Sequence, residues 1–134
     1  MLHSIIGVAY RELSEFDNVL EHLNRSLKIR QEAGDLRGEA VTMSNLAGVY
    51  SALGDSNKVI ESSERALHIA REMGDRDAIS NYLIDVGLAR QAHGDLDEAL
   101  KVFRESLQIT RDREDHLSLP NRLHNIADIC RLKG

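Results

Sequence analysis

Residues 45–55 read NLAGVYSALGD, and residues 85–95 read DVGLARQAHGD. In each stretch apolar or small side chains recur at helical spacing, and the run halts at Gly-Asp. The two lie 40 residues apart, and the chain keeps that step throughout. Gly34-Asp35 returns as Gly74-Asp75, and Tyr10 returns as Tyr50. Leu27, Leu67 and Leu107 keep step, as do Ile29, Ile69 and Ile109. Self-similarity at a fixed period marks a stack of supersecondary units rather than one irregular domain.

Each unit has room for two helices and two tight turns. Phe16, Val19, Leu20, Leu23 and Leu27 fall at i, i+3, i+4, i+7 and i+11, one face of an α-helix, and Leu96, Ala99, Leu100, Phe103 and Leu107 repeat that face. Met43, Leu46, Ala47, Tyr50 and Leu53 mark the preceding helix, with a small residue where its partner must approach. A glycine after a helical run takes the left-handed conformation that ends it, and an aspartate after the glycine can cap the next helix. Asp95 with Glu98 has capping-box spacing. The reading is therefore all-α, with seven helices over roughly 2–13, 15–33, 36–53, 56–73, 76–93, 96–113 and 118–132. Pro120 is tolerated in a first turn, which sets the last helix near Ser118.

Three places depart from the repeat. Arg90 stands where Tyr10, Tyr50 and Cys130 stand, with its guanidinium free to reach Asp85, a ligand carboxylate or water. Ser56 and Ser63 stand where Phe16/Leu96 and Leu23/Phe103 stand, so the back helix of the second unit should pack less tightly. Glu114-Asp115 replaces Gly-Asp, which removes the glycine stop from the last turn.

Segments 5–15 (IIGVAYRELSE), 45–55, 85–95 and 125–134 (NIADICRLKG), with second helices such as 96–107 (LDEALKVFRESL), resemble tetratricopeptide repeats. The 40-residue period resembles the longer form found in kinesin light chains, partner-of-inscuteable-type adaptors and bacterial regulators. The resemblance implies a right-handed α-solenoid of antiparallel helix pairs, three repeats plus the first helix of a fourth. The repeats would span about 1–34, 35–74, 75–114 and 115–134, the last partial, in a single domain cut from a longer protein. It also implies a protein-interaction module of a signalling or regulatory protein, with a peptide or partner held on a concave face lined by the first helices. The residues placed there are Arg11, Glu12, Ser44, Asn45, Gly48, Ser51, Asn81, Asp85, Leu88, Gln91, Asn121, His124, Asn125 and Asp128. Asn45, Asp85 and Asn125 share one register position. An asparagine offers both a donor and an acceptor to a peptide backbone, and the long-repeat adaptors use asparagines at that position as clamps. The other reading is that these side chains bond only along the inner surface or to water.

A second expectation concerns the last helix. Leu123, Ile126, Ile129 and Cys130 would lie open there without a covering helix, so self-association through this end is the alternative function. Cys130 itself reads as a small buried apolar residue, and Tyr10 and Tyr50 read as packing residues. Glu21 with Arg25 and Glu61 with Arg65 are spaced as surface ion pairs.

Composition limits the rest. Net charge is −5 with 29% charged and 42% hydrophobic residues, which disfavours nucleic acid and anionic membrane as partners. No run of 18 apolar residues predicts a membrane span, and Met1 to Tyr10 lacks the pattern of a secretory leader. A cytoplasmic location is the expectation. With one cysteine, no phosphate loop and no paired histidines at i, i+3 or i+4, the sequence predicts no catalytic residue, no metal site and no cofactor.

Overall fold

The computed structural model describes the backbone of residues 2–134 and the side chains of residues 11–134. Six helices follow one another: α1 Leu2–Ala33, α2 Leu36–Leu53, α3 Ser56–Met73, α4 Arg76–His93, α5 Leu96–Asp112 and α6 Leu119–Lys133. Principal packing runs between consecutive helices, α1 on α2 through to α5 on α6. This is the nearest-neighbour logic of a solenoid. The reading for Tyr10 lies outside the described side chains.

The count of seven helices is corrected to six, because the predicted helices 2–13 and 15–33 are one. The cause lies at Ser14. At Gly54 and Gly94, φ is 76° and 91°, and the chain turns back through paired bonds. Gly54 N–H donates to Ser51 O and Asp55 N–H to Tyr50 O, and Gly94 and Asp95 repeat the pattern on Gln91 and Arg90. This glycine stop needs a residue without a Cβ penalty at positive φ. Ser14-Glu15 carries no such residue, and the helix continues through it.

The stop survives in one place without glycine. Glu114 sits at φ 55°, Asp115 N–H donates to Thr110 O, and Asp115 Oδ1 accepts from Ser118 N–H at 3.2 Å. The last turn thus keeps its geometry at the strain of a left-handed, non-glycine residue.

Helix starts follow the aspartates. Asp35, Asp55 and Asp75 accept from the backbone N–H three residues on, at 2.9, 3.2 and 3.1 Å. The Gly38 N–H, with Arg30, holds the Asp35 carboxyl below its ordinary range, and the Ala78 N–H does the same for Asp75. The capping box expected at Asp95 is absent: its carboxylate makes no cap bond and instead accepts from Arg90 Nη1 at 3.1 Å.

The core is a chain of small clusters. Ala40, Ala66 and Ile69 join α2 to α3; Leu67, Leu83 and Val86 join α3 to α4; Ile84, Ala99, Phe103 and Ile129 join α4, α5 and α6. Phe16, Leu20, Leu23 and Leu27 of α1 are only half-buried. Glu39 is buried, and its Oε1 accepts from Arg65 at 3.2 Å and Gln31 at 3.3 Å, tying α1, α2 and α3 together. Arg65 therefore serves Glu39, not the expected Glu61, whereas Glu21 and Arg25 do pair at 2.6 Å.

Along the surface runs a ladder of ion pairs, some between successive repeats and some within the third. Arg37 meets Asp75 at 3.1 Å, Arg76 meets Asp112 at 3.5 Å, and Arg71 holds Glu105 through two bonds of 2.8 and 3.0 Å. Arg113 pairs with Asp77 and Lys133 with Asp97.

Candidate interaction face

A cavity of about 370 Å³ opens between α2 and α4. Ser44, Ala47, Gly48 and Ser51 form one wall, Asp85, Leu88, Ala89 and Ala92 the other, and Ser56, Val59 and Ser63 of α3 the floor. Its origin is visible in the α4–α5 pair one repeat later. There Phe103 is fully buried against Gly87, so closely that a Cβ on Gly87 would lie 2.3 Å from the ring. In the α2–α3 pair Ser63 holds the place of Phe103, Ser56 that of Leu96, and Gly48 that of Leu88. Three large side chains are missing at once, and the helices do not close over the space.

Five residues of the predicted set, Ser44, Gly48, Ser51, Asp85 and Leu88, line this cavity. Asp85 is half-buried, and burial pushes its carboxyl above the ordinary range, partly offset by the Arg122 guanidinium and the Ser44 hydroxyl. The remaining predicted residues, the register asparagines Asn45 and Asn125 among them, are not in its lining. Asn45 and Arg11 are exposed, and Gln91 is half-buried. Asn81, Asn121, Asn125 and His124 gather farther along, between α4 and α6. Arg122 Nη2 donates to Asn81 Oδ1 at 3.2 Å, Asn125 Nδ2 donates to Asn121 Oδ1 at 3.3 Å, and His124 Nε2 lies 3.4 Å from Asp128. Arg90 reaches neither Asp85 nor the cavity; Glu64 and Asp95 hold its guanidinium.

The last helix differs from expectation. Ile129 is fully buried in the cluster with Ile84 and Phe103, and Ile126 packs against it. Both face their own chain, not an open end. Cys130, one 100° step around the helix from Ile129, is exposed rather than buried. Leu123 remains largely exposed, as does Leu132.

Among the described residues, no group of three or more His, Cys, Asp or Glu side chains could hold a metal ion, and no helix is long and apolar enough to cross a membrane. The cavity's chemistry is that of contact, with one carboxylate and four serine hydroxyls among small and apolar side chains.

A tetratricopeptide repeat family model matches residues 1–72, and a second matches residues 83–117. The chain belongs to the tetratricopeptide repeat family. Among solved structures it is similar to BtubC (BKLC) from P. vanneervenii, with TM-score 0.78 and 18% identity over 91% of this chain and 51% of that one. It is also similar to a putative kinesin light chain of Podosopora anserina with nearly identical TPR-like repeats, with TM-score 0.72 and 20% identity over 92% of this chain and 62% of that one. At such identities the likeness establishes the fold, a helical solenoid. The chain spans between half and two-thirds of the length of these structures. No curated protein matches it in sequence.

Proposed function

We propose that this chain is an interaction module that holds an extended peptide, or a partner's segment, along the face shared by α2, α4 and α6. Tetratricopeptide repeats generally mediate protein–protein interaction. The observation that carries the reading is the open trough between α2 and α4, which brings Ser44 and Asp85 together with exposed Leu88. The 40-residue spacing of the glycine turns supports placing it with the long-repeat type, as one domain of a larger cytoplasmic signalling or regulatory protein. A phage-displayed library of random dodecapeptides, selected on the chain, tests it. Enriched peptides should lose affinity on Asn45→Ala with Asn125→Ala or on Gln91→Ala, and keep it on Glu61→Ala with Arg104→Ala on the opposite surface. Peptides indifferent to every substitution on the α2–α4–α6 face would remove the reading.

A second reading, self-association, is favoured by exposed Leu123 and Leu132 on α6. Its test is the molar mass by light scattering across a concentration series, with Leu123→Glu expected to dissolve any oligomer. A monomer at every concentration ends it.

A further inference from the structure

The shape and charge of the trough between α2 and α4 bear on what it can hold. Ser56 and Ser63 leave room where the next repeat places Leu96 and Phe103, so the floor lacks a hydrophobic layer that this fold elsewhere supplies from within. About 370 Å³ falls near the lower end of the range for small-ligand sites, room for one large side chain with part of its backbone. The walls are preformed: both bounding helices are fixed by cores on their other sides, Leu46 in α2 and Leu83 and Val86 in α4 being buried. An added Cβ at Gly48 would meet nothing within 4 Å, so the mouth is open toward the chain's surface. On the rim, Leu88 is 47% exposed.

Asp85 is the only ionisable residue in the lining. Among the described residues no cation lies within ion-pair distance of it: Arg122 eases its charge only coulombically while donating to Asn81, and Ser44 supplies a hydrogen bond. Partial burial without an ion pair raises the free energy of its carboxylate. An incoming ammonium or guanidinium relieves that cost, and an incoming carboxylate adds to it. The chain's net charge of −5 acts in the same direction at long range.

We propose that this cavity is an anchor pocket for a leucine- or methionine-sized side chain of an extended peptide, and that Asp85 selects peptides carrying Lys or Arg beside that anchor. The proposal rests on the interaction-module reading and sharpens it to a peptide of stated chemistry, an aliphatic residue next to a cation.

The test is a titration of the isotope-labelled chain, followed by nuclear magnetic resonance, with synthetic nonapeptides of a Gly/Ser frame. The central pairs are Leu-Lys, Ala-Lys, Leu-Glu and Leu-Ser. The Leu-Lys peptide should shift the amides of Ala47, Gly48, Ala89 and Ala92, with an affinity about tenfold or more above the Ala-Lys peptide, the scale set by burying the extra methyl and methylene groups. The Leu-Glu peptide should bind more weakly than Leu-Ser, and Asp85→Asn should bring Leu-Lys and Leu-Glu to within about twofold of each other. Gly48→Leu supplies the side chain of its counterpart Leu88 to open space and should abolish the shifts with helicity retained. Ser63→Phe with Ala47→Gly, which transplants the Phe103–Gly87 pair, should do the same from below.

Leu-Lys binding no better than Ala-Lys, or binding unchanged by both filling variants, overturns the pocket. If phage-selected peptides respond to Asn45 and Asn125 but not to Gly48→Leu, the pocket falls and the interaction face stands. If they respond to neither, both fall. Concentration-dependent shifts of the same four amides without peptide would assign the cavity to a second copy of the chain and overturn the peptide assignment.

Discussion

The α2–α3 and α4–α5 pairs are built to one plan and packed to opposite ends. Both start on an aspartate, both turn back at a glycine of positive φ, and both present a small residue where the helices cross. In α4–α5 the small residue is Gly87, and Phe103 fills the contact completely. In α2–α3 it is Ala47, and Ser63 leaves the contact open onto a cavity. The lesson is that a repeat fold needs its turns and its crossing points everywhere, but tolerates a missing core layer in one unit because neighbours on either side hold the helices. Removing a large core side chain costs several kcal/mol; dispensing with one leaves a surface on which something else can bury.

The contrast can be broken most sharply at Phe103. Phe103→Ala should cost about 3–5 kcal/mol of unfolding free energy, whereas Ser63→Ala at the matching place should change it by less than about 1 kcal/mol; urea denaturation of the two variants checks this. Next comes the pair of mid-helix glycines. Gly87→Ala drives a methyl into the Phe103 ring and should destabilise by about 1–3 kcal/mol. Gly48→Ala, in open space, should stabilise by about 0.5–1 kcal/mol through helix propensity alone. Opposite signs in the same denaturation series sharpen the comparison; equal signs break it.

A smaller effect is expected at the last turn. Glu114→Gly relieves the positive φ and should stabilise by roughly 1 kcal/mol, visible as a higher melting temperature. The smallest is a pH effect at Asp85. Burial raises its folded-state carboxyl above the unfolded one, so the folded chain binds a proton first as pH falls. Stability is therefore lost as pH rises from the unfolded carboxylate value, about 3.9, through the raised folded value. Asp85→Asn should melt slightly higher than the parent at neutral pH, and the advantage should shrink in melts near pH ~3.5, where the parent carboxyl is largely protonated in both states.

Most helix boundaries were legible because the Gly-Asp pairs state two physical requirements at once, a left-handed stop and a cap. Where only part of the signal is present, the sequence is ambiguous. Ser14-Glu15 and Glu114-Asp115 both lack the glycine, yet the first is helix and the second a left-handed turn. What separates them is tertiary. Beyond Glu114, α6 seats Ile129 between α4 and α5, and that burial offsets the strain. The same tertiary contact explains why Ile129, read as an open apolar edge, is interior and Ile126 is half-buried against it. The cavity was half legible. Ser56 and Ser63 announced loose packing, but nothing in one sequence says whether helices close over a vacancy or stand apart. The predicted asparagines separate for a related reason: their shared register fixes a face, while depth depends on the neighbouring helix.

The ladder of ion pairs along the surface has a mechanical side. Arg37, Arg71 and Lys133 each reach from one repeat to the next, while Arg76 and Arg113 tie α4 to the end of α5 within the third repeat, and all of these bonds are at least partly solvent-exposed. Exposed pairs contribute about 0–1 kcal/mol each and weaken as the screening length contracts with salt. Such links stiffen the array lengthwise without holding it folded. The array is thus a spring whose stiffness is set by ionic strength, slackening in high salt while every helix stays intact.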